Sequence, residues 1–380
     1  MAENSAGPGG SNIQVGTMEL VESWPVGSDF DQPDIRDTQE VWLELINKAE
    51  SEILWHTFYL AHEPNTATEP IIAALKSAAQ RGVRVKLLVD EKFQETYPHT
   101  LAELNSLNGI QVRPSPVGRW YGGVMHAKML LVDGQKGFIG SQNFDWRSLT
   151  HIRELGVHFV DQSLVESYAK VFWWEWQHYK LDSPPKKLPR VYSVFRKVGD
   201  STVAPTVSPN PLNAESALGD EYQILRLLNS SEESVKIALL SYTPVTRDGK
   251  TFYADLDNAI RSAAVRGVKV QILLSHWVEK KKTVDHLISL DKLQNVEIRA
   301  CRIPLTSEGE IPFARVHHSK YLVVDNKRSW LGTSNWSRGY FRQSRNYGMI
   351  FWDGPISARL FNLFDFDWAR STELHPKPKS

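Results

Sequence analysis

The chain has 380 residues, with 44 Lys plus Arg against 44 Asp plus Glu, so no net charge draws it as a whole toward nucleic acid or anionic lipid, and any anion site has to be local. Its one cysteine, Cys301, excludes an internal disulfide, and its place in an alternating apolar run marks it as an inert buried thiol. No run approaches the ~18 apolar residues of a membrane span, and the start (Met1 to Gly10) does not read as a signal peptide.

In chain order, residues 1–17 are rich in Gly and Ser and are expected to be disordered. A first unit is expected over 18–182. Within it Ile53 to Leu60 reads as a strand, 69–81 as a helix ended by Gly82, and Val83 to Val89 as a buried strand. Two short strands and an aromatic-rich helix over 163–178 close the unit. Residues 183–213 carry six prolines and read as a linker. A second unit over 214–372 repeats the order, with strands at 235–242 and 268–274 around a helix at 255–266 and a last helix at 356–369. Residues 373–380 read as a tail. Strands alternating with helices in both halves give an α/β class: two tandem α/β units whose sheets pack about a pseudo-twofold axis.

The repeat is explicit. His126-Ala-Lys128 with Asp133 returns as His318-Ser-Lys320 with Asp325. Gly140-Ser141-Gln-Asn143 returns as Gly332-Thr333-Ser-Asn335 at the same offset of 192. The offset holds for Arg153 and Arg345, Phe172 and Phe364, and Trp176 and Trp368, a register that points to internal duplication. In a strand, residues i and i+2 share a face, so each histidine lies beside its lysine. If the halves meet at those faces, two imidazoles and two ammonium groups form one site, with Asn143 and Asn335 adding amide donors. That set suits cleavage of a phosphodiester. The lysines and amides hold the non-bridging oxygens, one imidazole attacks phosphorus, and the other protonates the departing alcohol and later deprotonates water.

Glu154 lies 28 residues past His126, and the matching position past His318 is Asn346. A carboxylate there fixes the tautomer of an active-site imidazole and makes it the more basic one. Either histidine can then be the nucleophile, with a slight preference for His126. Asp133, Asp325, Ser141 and Thr333 are expected to support the site, and Trp146, Trp336, Arg315 and His317 are candidates for contact with substrate. No zinc cluster, P-loop or dinucleotide fingerprint is present in the sequence, and no cofactor, metal or obligate protein partner is expected.

The paired His-x-Lys-x4-Asp motif resembles the phospholipase D superfamily. The segments Asn143 to Thr150, Ile311 to Val316 and Gly332 to Ser337 resemble the branch that holds lysosomal single-strand 5′-exonucleases of animals and a poxvirus envelope phospholipase. The similarity runs from about residue 18 nearly to the end. It implies a metal-independent phosphodiesterase working through a phosphohistidine, most simply a 5′-exonuclease on single-stranded nucleic acid. A phospholipase or transphosphatidylase acting on phospholipid is the alternative, and a non-catalytic phosphate-binding scaffold is the reading from another class. The animal members carry a membrane anchor and lumenal cysteines that are not seen in this sequence. The chain as written is therefore expected to be soluble and cytoplasmic, with lysosomal or lumenal placement left open by the resemblance.

Overall fold

The computed structural model describes residues 16–246, 249–280, 283–307 and 309–375. The expected disorder of the N-terminal tail falls almost wholly outside these residues, as do the last five positions.

Two mixed sheets carry the fold, and their strand orders match. The first has eight strands, in the order Arg36–Asp37, Thr17–Ser23, Glu154–Val160, Lys136–Gly140, Lys128–Val132, Glu52–Thr57, Arg84–Asp90 and Ile110–Ser115. The second has nine, running Arg196–Val198, Ser201–Ser208, Asn346–Asp353, Arg328–Gly332, Tyr321–Val324, Ser234–Leu239, Lys269–Ser275, Val296–Cys301 and Ser371–Glu373. In each sheet the inner strands Glu52–Thr57 and Ser234–Leu239 pair in parallel with the strand after their crossover helix and antiparallel with the strand after the His-Lys pair. The helices Glu69–Gln80 and Ala254–Val265 end where expected. Gly82 and Gly267 follow them at φ +94° and +91°, a left-handed conformation that costs a glycine little.

Three large apolar cores explain how the halves fit. One is drawn entirely from residues 21–149 and a second entirely from residues 204–350. The third is shared: Leu164, Tyr168, Phe172 and Trp176 from the helix Gln162–His178 meet Met349, Leu360, Phe364 and Trp368 from the other half. The repeated aromatic stripe is therefore the packing surface between the sheets.

One expectation needs correction. Part of the proline-rich 183–213 stretch is sheet, because Arg196–Val198 and Ser201–Ser208 extend the second sheet and Ser201–Ser208 pairs with Asn346–Asp353. This strand stands to the second sheet as Thr17–Ser23 stands to the first, which pairs with Glu154–Val160. Composition marked Pro205 as a breaker, yet the strand absorbs it opposite Met349. The first strand of the second sheet thus lies at Arg196–Val198.

Candidate active site

Each histidine is held by the opposite repeat. The His126 backbone N–H donates to the Arg345 carbonyl at 2.9 Å, and the Arg345 N–H donates to the Val124 carbonyl at 2.9 Å. In the mirror arrangement the His318 N–H donates to the Arg153 carbonyl at 2.8 Å and the Arg153 N–H to the Val316 carbonyl at 3.0 Å. These short parallel bridges stitch the halves together at the site. The ordered strands start only at Lys128 and Tyr321, because the residues before them are given over to this exchange.

The arginines that supply the bridges are themselves anchored across the seam. Arg345 Nε donates to Glu175 at 2.5 Å, and Arg153 Nε lies 3.4 Å from Asp367, with Glu22 as a further partner. All of these side chains are completely buried. Buried guanidiniums keep their charge only when paired, so each clamp locks a helix of one repeat to the site strand of the other.

One residue past each arginine stands the group that meets the imidazole. Glu154 Oε1 lies 3.0 Å from His318 Nδ1, and Asn346 Oδ1 lies 3.1 Å from His126 Nδ1. Ser148 Oγ donates to Glu154 at 3.0 Å, and Thr333 Oγ1 donates to Asn346 Oδ1 at 2.9 Å. The orientation of Asn346 is fixed, since its Nδ2 donates to the Tyr340 and Ser344 carbonyls at 2.9 and 3.3 Å. Its oxygen must therefore face His126 and accept from an Nδ1–H, which leaves the lone pair of a neutral His126 on Nε2.

Lys128 and Lys320 are almost wholly buried, and each ammonium donates to the carbonyl of the histidine before it: Lys128 to His126 at 2.7 Å, and Lys320 to His318. The charges of the two repeats act on one another. Burial, then Lys128 and Lys320, hold His126 well below the ordinary imidazole value. Burial, the same two lysines and His126 do so for His318. Burial pushes Lys320 down to about 7 against the pull of Glu154, and burial with the charge of Lys320 holds Lys128 well below its ordinary value. Burial raises Glu154 to about 8 against the pull of Lys320. Glu154 and His318 are thus the two ends of one hydrogen bond, and burial disfavours the charged form of each. Such a cluster is short of negative charge, and an entering phosphodiester anion supplies it.

Asn143 and Asn335 are nearly buried beside the pairs, and the Oδ1 of each has no protein partner. Ser141 bonds the Leu155 backbone, as Thr333 bonds Tyr347, tying the small-residue turns to the strands that carry Glu154 and Asn346. Asp133 and Asp325 sit in left-handed turns at φ +53° and +54°. They gather the backbone N–H groups of residues 50–52 and 232–234. Those bonds outweigh desolvation and keep both carboxyls below their ordinary value. They support the turn and stand apart from the chemistry.

Three candidates for substrate contact are committed elsewhere. Trp336 is buried edge-on against Tyr242, 6.3 Å between ring centres. Arg315 is buried and donates to the Pro304 and Val26 carbonyls at 2.6 and 2.8 Å. His317 alternates away from His318 and lies 3.1 Å from Asp367. Trp146 is half-buried against His151. Sequence reasoning had no signal for Asp90, which accepts from the Met125 N–H at 2.7 Å and holds the approach to His126. It also missed Phe58 and Tyr340, whose rings lie edge-on to the His126 ring at 5.0 and 4.8 Å.

The family model described as "Cardiolipin synthase, PLD-like domain" matches residues 42–176 and 224–368. The chain belongs to the phospholipase D-like family. It is accordingly a phosphodiesterase of the hydrolase type, in an α/β fold of two such repeats. Phospholipase D Z of Dictyostelium discoideum is 29% identical, over 94% of this chain and 90% of that protein. The 5′-3′ exonuclease PLD4 of Homo sapiens is also 29% identical, over 92% of this chain and 77% of that one. Among solved structures, the phosphatidylserine synthase of Haemophilus influenzae Rd KW20 superposes with a TM-score of 0.64 at 13% identity, over 88% of this chain and 85% of that chain. Among the described residues no helix is long and apolar enough to cross a membrane.

Proposed function

We propose that this phospholipase D-like protein is a 5′-exonuclease on single-stranded nucleic acid, working through a phosphohistidine on His126. The observation that carries the chemistry is the different partner behind each imidazole. Asn346, a neutral acceptor, presents His126 with its Nε2 lone pair free to attack. Glu154 lets His318 hold a proton for the departing oxygen.

In the first step His126 Nε2 bonds to phosphorus as the bond to the leaving oxygen breaks, and His318 Nε2 gives that oxygen its proton. In the second, His318 takes a proton from water, the water oxygen bonds to phosphorus, and the electron pair of the P–N bond returns to His126. Lys128, Lys320, Asn143 and Asn335 hold the non-bridging oxygens through both steps. Nucleic acid as the substrate is supported by the name of the human relative. The name of the Dictyostelium relative supports a second reading, a phospholipase.

The test is a side-by-side assay of end-labelled single-stranded DNA, duplex DNA and phosphatidylcholine, with acid-labile phosphate on the protein measured after quenching. We expect release of nucleotides from the 5′ end of the single strand, no loss of rate in EDTA, and labelled phosphate that persists in His318→Ala but not in His126→Ala. Turnover of phosphatidylcholine alone would select the second reading. Label retained only by His126→Ala would reverse the two histidines.

A further inference from the structure

A row of aromatic rings leads away from His126. The Phe58 ring lies 5.0 Å from the imidazole, and Phe93 lies 4.3 Å from Phe58. Tyr59 is 5.5 Å from Phe93 and Tyr97 is 5.4 Å from Tyr59, and both of these pairs are near-parallel, at 26° and 28°. All four residues are only partly buried, and none belongs to the apolar cores. Packing of the fold therefore does not account for them.

The row is tied to the catalytic loop. Tyr59 Oη donates to Asp145 at 2.9 Å, two residues past Asn143, and Arg147 pairs with that same carboxylate at 2.9 Å. Arg147 also reaches the Pro312 carbonyl at 3.4 Å, next to the exposed ring of Phe313. Among the described residues the other repeat has no such row. The bridge Leu60–Phe144 corresponds to Tyr242–Trp336, which places Leu240 and Ser241 where Phe58 and Tyr59 stand.

We infer that Phe58, Phe93, Tyr59 and Tyr97 form a stacking track that seats the bases of a single-stranded substrate beside His126. This deepens the nucleic-acid reading above and rests on it. Every base has a π-face, so successive rings grip a strand without regard to sequence. The hydroxyls, Asp145 and Arg147 interleaved with the rings suit bases joined by a charged backbone. An acyl chain would have to desolvate those same groups.

The test compares KM for a short oligodeoxythymidylate with KM for the same strand made abasic at its first nucleotides. Wild-type protein, Phe93→Leu, Tyr97→Leu and Tyr97→Trp are assayed, with thermal melting as the control for folding. In the wild type, removing the bases should raise KM roughly tenfold. Each leucine variant should raise KM on the intact strand by a similar factor and make little further difference on the abasic one, and Tyr97→Trp should restore the wild-type value. Equal KM for both strands in the wild type would overturn the track, as would leucine variants that weaken both strands alike. A wild type that cleaves neither strand but does cleave phosphatidylcholine brings down the nucleic-acid reading and the track together. A wild type that cleaves single strands with no effect of base or variant brings down the track alone.

Discussion

The two repeats place the same backbone around His126 and His318 but give the two imidazoles different neighbours. Both histidines receive a bridge from the opposite arginine, both stand before a buried lysine, and both lie beside a turn ending in asparagine. The difference at the Nδ1 side is one side chain: Asn346 behind His126, Glu154 behind His318. In the proposed mechanism this departure from symmetry is what divides attack from proton transfer. A pair of identical environments would give two imidazoles of equal basicity and no reason for either to act first.

The largest effect that would break this comparison is loss of either imidazole. His126→Ala and His318→Ala should each lower kcat by at least about 10³-fold while the melting curve stays in place. Near-normal turnover by either variant would show that the pairs do not share one site.

Next come the seam arginines. Arg345→Ala leaves Glu175, and Arg153→Ala leaves Glu22 and Asp367, without their buried cation. Removing one partner of such a pair costs about 3–5 kcal/mol, to be read from chemical denaturation. A change within error would mean that the clamps do not hold the halves.

The pH profile sharpens the contrast between the two imidazoles. Reaction from free enzyme needs His126 neutral and a proton on the His318–Glu154 unit. His126 lies below the ordinary imidazole value, so the acid limb of kcat/KM should fall below about 6.5. The alkaline limb should fall between about 7 and 8, as Lys320 and Glu154 lose their protons. Glu154→Gln removes the carboxyl bonded to His318 and should draw the alkaline limb to lower pH. Asn346→Asp sets an anion behind His126, favours its protonated form and should move the acid limb to higher pH. Limbs that stay put in both variants would contradict the division of roles.

The smallest effect is expected at Thr333. Thr333→Val removes the hydroxyl that donates to Asn346 and accepts from the Tyr347 N–H, but leaves the two carbonyls that fix the amide, so kcat should fall only by about tenfold, the worth of one or two neutral hydrogen bonds.

The sequence showed the core of the site because that chemistry is written twice. A constant offset marked His126, Lys128, Asn143 and their partners, and the strand period put histidine and lysine side by side. It also flagged position 154 and its counterpart 346, though not which imidazole each would meet, because that depends on the strand exchange across the seam. Pro205 misled because composition reports a residue's habit and not the neighbour that accommodates it. Trp336 and His317 misled because nearness in sequence says nothing about direction: along an extended chain the next residue faces the opposite way. Arg315 misled because it sits in a left-handed turn and is bound to the Pro304 and Val26 carbonyls. The aromatic row escaped notice because Phe58 and Phe93 are 35 positions apart and Phe58 answers to Leu240 in the other repeat.

The crossed bridges also bear on how the molecule can be divided. Cut within residues 183–195, ahead of the strand at Arg196, the chain would fall into two pieces, each holding a histidine whose Nδ1 partner lies on the other piece. Neither piece would turn over a diester alone, and mixing them should restore cleavage in proportion to the fraction reassembled. Catalysis in this protein is thus expected to be a property of the join.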